Sequence, residues 1–143
     1  MEKLQQERLL VAVGNVATAE KMLEITIDYV KQREAFGKPI SKLQNTQFKI
    51  AEMATEIIIV RTFVDDLIVN HMAKKDVVTQ VSMAKWWITE MTKRVATIRM
   101  QLHGGYGIMG FTDGLEMFKQ LPFMPVQMKL RRPSLQSEWD SKD

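Results

Sequence analysis

An apolar spacing of three and four residues is the feature that most narrows how this chain can fold. In one segment Ile50, Met53, Ile57, Val60, Val64 and Leu67 keep that spacing without a miss, and in a later one Val81, Ala84, Ile88, Met91, Val95, Ile98 and Leu102 do the same. An earlier, broader stripe places Leu10, Val13, Val16, Leu23, Ile27 and Val30 near one face. Residues three and four apart share one side of an α-helix, so each segment reads as an amphipathic helix. Their near-heptad regularity favours packing at a shallow crossing angle. The predicted fold class is therefore all-α, an up-down-up bundle of three long helices.

The breaks between stripes set the boundaries. Gly37 and Pro39 in "REAFGKPISKLQ" take the chain out of its first helix near Arg33 and return it to a second near Gln44. The short connection "KKD" ends on Asp76, which is placed to cap the third helix. Gly104 and Gly105 end that helix, because glycine accepts a left-handed terminus. Thereafter the character changes. Thr112 to Lys119 can form a short helix, but Pro122, Pro125 and Pro133 interrupt the remaining stretch, and the end is polar. The expected division is a helical bundle over 1–111, with 112–143 a divergent short helix and irregular tail of the same domain. Three helices with wide apolar faces leave a groove, which the tail, another domain or another subunit should cover.

Several function classes are disfavoured on composition alone. The chain has no cysteine and only His71 and His103, so thiolate chemistry and a thiolate or histidine metal site are not expected. A net charge of +3, with one basic cluster at Lys129 to Pro133, lacks the concentrated basic face of a nucleic-acid binder. No apolar run approaches membrane-spanning length, and charges at Glu2 and Lys3 do not suit a secretory leader. A cytoplasmic protein with no membrane or nucleic-acid partner is the expectation. Eleven methionines are read as core fillers.

Four stretches, "QERLLVAVG", "YVKQREAFGKPISKLQ", "SMAKWW" and "QLHGGYGIM", resemble the C-terminal helical domain of the acyl-CoA dehydrogenase family in content, order and separation. The likeness runs over roughly Leu4 to Met109 and is nearest to the long-chain type. It implies a flavoprotein oxidoreductase of fatty acid metabolism that converts acyl-CoA to trans-2-enoyl-CoA with FAD as cofactor. A base removes the α-proton while the β-hydrogen leaves as hydride to the flavin. In the long-chain and isovaleryl types the catalytic glutamate stands just before the arginine that opens this helix. Glu7 holds that position, and no late Glu-Gly-Thr segment competes with it. Without the resemblance, Glu7 reads as a helix-start charge that complements the dipole.

The same resemblance places Gln5, Gln6 and Arg8 beside the acyl-CoA substrate, although Arg8 reads equally well as a surface or intramolecularly paired arginine. Arg33, Ala35, Phe36, Leu43, Gln44, Gln101, Gly104 and Gly105 correspond to family positions that contact the ADP half of an FAD held largely by a neighbouring subunit. A planar guanidinium at Arg33 suits a pyrophosphate, and glycine lets backbone approach a ligand closely. Purely structural alternatives stand beside these: a helix-breaking turn with a buried Phe36, and a glycine cap with a loop. His103 reads as a helix-end cation or a packed core residue, and Lys85 as a solvated charge beside a tryptophan pair that packs the bundle.

By the same likeness the partners are a second copy or more of the chain, as dimer or tetramer, and electron-transfer flavoprotein as electron acceptor. Neither the middle β-domain nor the glycine-threonine flavin loop of the family is visible in the sequence, so the isolated chain is expected to turn over little or not at all. Acyl-CoA oxidases and some flavin monooxygenases share this helical domain; "QER" favours α-proton abstraction over monooxygenation. The competing reading is a non-catalytic helical module for oligomerisation or partner binding.

Overall fold

The three stripes become three long helices in the computed structural model, which describes residues 2–108. α1 spans Glu2–Gln32, α2 Gln44–Met72 and α3 Val78–His103, followed by a single-turn α4 at Gly105–Ile108. The short helix expected over Thr112–Lys119 lies outside the described residues. Strands too short for periodicity to reveal, β1 (Glu34–Ala35) and β2 (Lys38–Pro39), pair antiparallel between α1 and α2, with Glu34 opposite Pro39 and Ala35 opposite Lys38. Phe36 and Gly37 form the tip of this hairpin, both with positive φ, at 57° and 75°. Two positive φ values are what a tight turn needs to match strand twist, and a phenylalanine in that conformation is strained. Ile40–Lys42 then makes a 3₁₀ turn into α2.

Side-chain bonds fix the direction of packing. Arg8 Nη1 donates to Ser82 Oγ at 3.0 Å, Asn15 Nδ2 to Thr89 Oγ1 at 3.4 Å, and Tyr29 Oη to the His103 carbonyl at 3.3 Å. All three pairs are separated by 74 residues, so α1 and α3 run parallel. α2 runs back antiparallel and packs against both, joined by the pairs Arg61–Glu20 and Arg94–Glu56. Along α1 the polar pairs recur after seven and then fourteen residues, the repeat of two helices crossing at a shallow angle.

The core is built from Met53, Ile57, Val60, Val64 and Leu67 of α2 and Val81, Ala84, Ile88, Met91 and Val95 of α3, all buried. These are the residues that the spacing picked out, with Ile50, Ile98 and Leu102 at its margin. α1 matches its stripe only in part: Val16 and Val30 are buried, and Val13 and Leu23 pack against the core. Its buried face runs through Leu9, Ala12, Val16, Ala19 and Met22, while Leu10 is 70% exposed. Small alanines line the seam and let α1 approach closely, so a face drawn through the bulkier side chains falls too far round.

Two further corrections concern aromatics. Trp86 and Trp87 do not pack the bundle: they are 65% and 49% exposed, and Trp87 instead lies under the Arg94 guanidinium, 5.2 Å from its ring centroid. Nor is Phe36 buried, at 92% exposure.

Helix ends obey the expected chemistry with small shifts. Asp76 Oδ1 accepts the Val78 N–H at 3.2 Å, although Val77 occupies the cap position. Gly104 caps α3 with φ 58° and ψ −131°, a region closed to most side chains. Gly105 belongs to α4 rather than to the cap. No described helix is long and apolar enough to cross a membrane, and the described residues hold no cluster of metal-ligating groups.

Candidate functional site

The parallel seam sends the candidate residues to opposite ends of the bundle. Gln5, Gln6, Glu7 and Arg8 lie near the start of α1, whereas Arg33 stands just past its end. The 26 residue steps from Glu7 to Arg33 correspond to about 39 Å of helix.

At the first end, Glu7 and Gln6 are exposed, Gln5 is half-buried, and Arg8 is tied across the seam to Ser82. That bond supports the intramolecular reading of Arg8, as a hydrogen bond rather than an ion pair. Glu7 lies within α1. Among the described residues its carboxylate has neither an ion pair nor a side-chain hydrogen bond. The chain itself does not bury the group.

At the other end α1 finishes, α2 starts and α3 finishes, and a cleft of about 450 Å³ opens between them. Of the predicted residues, Arg33, Gln101, Gly104 and Gly105 line it, together with Tyr29, Ile40, Leu102, His103 and Tyr106. Ala35 and Phe36 sit on the adjoining hairpin, and Leu43 and Gln44 at the entry to α2; these belong to the same end of the bundle but not to the cleft wall.

Backbone bonds hold Arg33 on both sides. Its N–H donates to the Tyr29 carbonyl at 2.8 Å, and its own carbonyl accepts the Ile40 N–H at 2.8 Å. Its guanidinium reaches to 6.0 Å from the Tyr106 ring centroid. Leu43 gives α2 no side-chain cap, and the first turn carries no acidic residue, so the positive end of α2 adds to the cationic character of Arg33, Lys38 and Lys42. An anion with a flat apolar portion is the ligand this chemistry suits.

The glycines differ in what they require. A Cβ at Gly107 would meet the Met100 carbonyl oxygen at 2.9 Å and Met100 Cα at 3.1 Å, so α4 can lie this close to α3 only with glycine there. A Cβ at Gly104 or Gly105 would meet nothing within 4 Å. Packing therefore gives no reason for glycine at 105.

Sequence reasoning passes over Tyr29 and Tyr106 and leaves His103 undecided. Tyr29 stands four residues before Arg33, hence on the same helix face, which is the available signal. The His103 ring stacks on Tyr29 with centroids 4.1 Å apart and planes 20° from parallel. Its Nδ1 lies 2.9 Å from the Arg99 carbonyl and donates to it as the bonded nitrogen. At 3% exposure His103 is a packed residue. Burial, opposed by that hydrogen bond and reinforced by the charge of Arg99, holds its pKa below the usual imidazole value. A packed ring, less readily protonated than a free imidazole, thus takes the place of a helix-end cation.

Residues 1–126 match the sequence model of "Acyl-CoA dehydrogenase, C-terminal domain". The chain belongs to the acyl-CoA dehydrogenase family. The mitochondrial long-chain specific acyl-CoA dehydrogenase of Sus scrofa is 46% identical over 109 residues, which cover 76% of this chain and 25% of that protein. The acryloyl-CoA reductase (NADH) of Anaerotignum propionicum is 35% identical over 109 residues, covering 76% of this chain and 28% of the relative. Among solved structures, the acyl-CoA dehydrogenase from Geobacillus kaustophilus superposes with a TM-score of 0.82 at 59% identity, over 85% of this chain and 32% of its own. This acyl-CoA dehydrogenase domain thus spans about a quarter to a third of the length of the relatives it matches.

Proposed function

We propose that the chain is the C-terminal domain of an FAD-dependent acyl-CoA dehydrogenase that oxidises acyl-CoA to trans-2-enoyl-CoA, with Glu7 as the base. The observation that carries this reading is the convergence of Arg33, Gln101, Gly104 and Gly105 on one cleft whose glycine backbone faces open space. Those residues suit the ADP half of FAD. Arg33 would meet the pyrophosphate with a bidentate fork, exposed Phe36 would lie against the adenine, Ala35, Leu43 and Gln44 would border it, and the glycines would admit close backbone approach. FAD, when bound, accepts the β-hydrogen with its electron pair. Glu7 takes the α-proton onto a carboxylate oxygen, which requires contact with the α-carbon in a site closed to water. Since this chain leaves Glu7 exposed, the walls that dry the site must come from elsewhere in an assembled protein. Gln5, Gln6 and Arg8 would border the acyl-CoA there.

The two candidate sites stand some 39 Å apart along α1, which supports their serving different cofactors: one in the chain's own subunit and one in a neighbour's. Exposed Trp86 and Trp87 favour a homo-oligomer. Electron-transfer flavoprotein would be the acceptor, and the identity to long-chain dehydrogenases favours oxidation over the reductive direction.

Exchange of residues 4–108 into the Geobacillus kaustophilus enzyme, in place of its own corresponding segment, tests the assignment. The hybrid should be yellow and reduce an electron-transfer dye with acyl-CoA. Glu7→Gln in that hybrid should keep the colour and lose the turnover by at least about a hundredfold, the low end of general-base contributions. Retained turnover removes Glu7 from its role.

A further inference from the structure

We propose that Tyr29 is the positioning residue of the cleft: its ring, stacked on His103, holds the α3–α4 corner against the end of α1 so that Arg33 and the Gly104–Gly105 backbone face one ligand. The inference rests on the reading of this cleft as an adenine-nucleotide site. Tyr29 touches both walls. On its own helix its carbonyl accepts the Arg33 N–H, and across the seam its ring covers the imidazole and its hydroxyl reaches the last carbonyl of α3.

The imidazole it meets is itself fixed, by the bond from Nδ1 to the Arg99 carbonyl. Beyond His103 the chain turns at Gly104, a residue with wide conformational freedom, and the next turn folds back through the Gly107 N–H to the Gly104 carbonyl at 3.0 Å. A corner hinged on glycine needs an anchor next to the hinge, and the stack is placed there.

The relative strengths of the two contacts decide what a test should see. At 3.3 Å the hydroxyl bond is long for O–H···O, whereas the ring contact at 4.1 Å is close. The ring therefore dominates, and phenylalanine should substitute for tyrosine where leucine, apolar but smaller and unable to stack, should not.

The experiment uses the full 143-residue chain. ADP and inorganic pyrophosphate are titrated calorimetrically into wild type, Tyr29→Leu, Tyr29→Phe and Arg33→Gln, and amide hydrogen exchange is followed at Gly104 and Gly107. Tyr29→Leu should weaken ADP by about tenfold, the scale of a lost aromatic pair, and speed both amides, with mid-helix amides of α2 unchanged. Tyr29→Phe should restore affinity and protection to within about twofold. Arg33→Gln should weaken both ligands and leave exchange alone. If Tyr29→Leu changes neither affinity nor exchange while Arg33→Gln still weakens ADP, the positioning role is wrong and the nucleotide reading survives. If wild type holds no ADP, the exchange measurement decides: equal exchange at Gly104 and Gly107 in wild type and Tyr29→Leu overturns the anchor, and faster exchange in Tyr29→Leu upholds it.

Discussion

Gly105→Ala separates a ligand cradle from a mere helix cap, because the two demand opposite behaviour from one methyl group. Gly105 opens α4, its φ lies outside the left-handed region, and an added Cβ would meet nothing within 4 Å. Folding should therefore tolerate the change and gain from it. Alanine is preferred over glycine by up to 0.8–1.0 kcal/mol in a helix interior, so a gain of about 0.5 kcal/mol is reasonable at a helix end. For a domain of this size that raises Tm by about 2–4 °C. A ligand lying against the Gly104–Gly105 backbone would be pushed off by the same methyl, losing a charge-assisted hydrogen bond of about 1.5–3 kcal/mol. ADP affinity should then fall by about 10- to 100-fold. Gly107→Ala is the contrast, since its Cβ would press on the backbone of Met100 at 2.9 Å; displacing α4 should cost about 1–3 kcal/mol. Thermal melts and ADP calorimetry on the variants read both quantities. An alanine at 105 that destabilises the chain, or that binds ADP as wild type does, refutes the cradle.

The described core and the buried imidazole give two more expected outcomes. Ile88, with no exposed surface, should cost about 2–5 kcal/mol on truncation to alanine; urea unfolding should show a lower midpoint with an unchanged slope. His103 makes stability depend on pH. Burial holds its folded pKa below the unfolded value of about 6.5, so the unfolded chain takes up the proton first as pH falls. The stability it contributes is complete above about 6.5 and is lost as pH falls through the folded value, with a slope of at most about 1.4 kcal/mol per pH unit. Urea unfolding at pH 7.5 and 5.5 should show that loss in wild type and less of it in His103→Phe; equal losses would mean that other groups carry the dependence.

Helices and core are legible where bulky apolar residues repeat, as in α2 and α3. α1 is blurred because its seam uses Ala12 and Ala19, whose burial leaves little trace in a hydrophobic pattern. The tryptophan pair misleads for the opposite reason: large aromatics carry a strong expectation of burial, yet Trp86 and Trp87 fall on the outer side of α3. Gly37 and Pro39 mark the first connection and Gly104 the end of α3, since their backbone chemistry is local, whereas the second connection is marked only by its lysines and Asp76. The cleft is only half legible. Charge and glycine point to Arg33, Gly104 and Gly105, but Tyr29 meets His103 across 74 residues of sequence, and only the helix register brings them together.

That register also governs how the two ends of the domain relate. Arg8–Ser82, Asn15–Thr89 and Tyr29–His103 are polar or mixed contacts placed at heptad intervals along an otherwise apolar seam. Apolar surfaces alone tolerate sliding by a heptad, because Ala, Val and Met faces look alike after each repeat. A slip of one heptad would shift α3 by about 10 Å along α1 and bring different side chains opposite Asn15 and Tyr29. Asn15 is buried, so losing Thr89 would leave its amide short of a partner, at a cost of about 1–3 kcal/mol. The seam thus sets the height of the Gly104 corner relative to Arg33 at one end while fixing Arg8 against Ser82 at the other. In a protein whose proposed function divides between those ends, the polar pairs keep two sites in constant relation across a rigid rod.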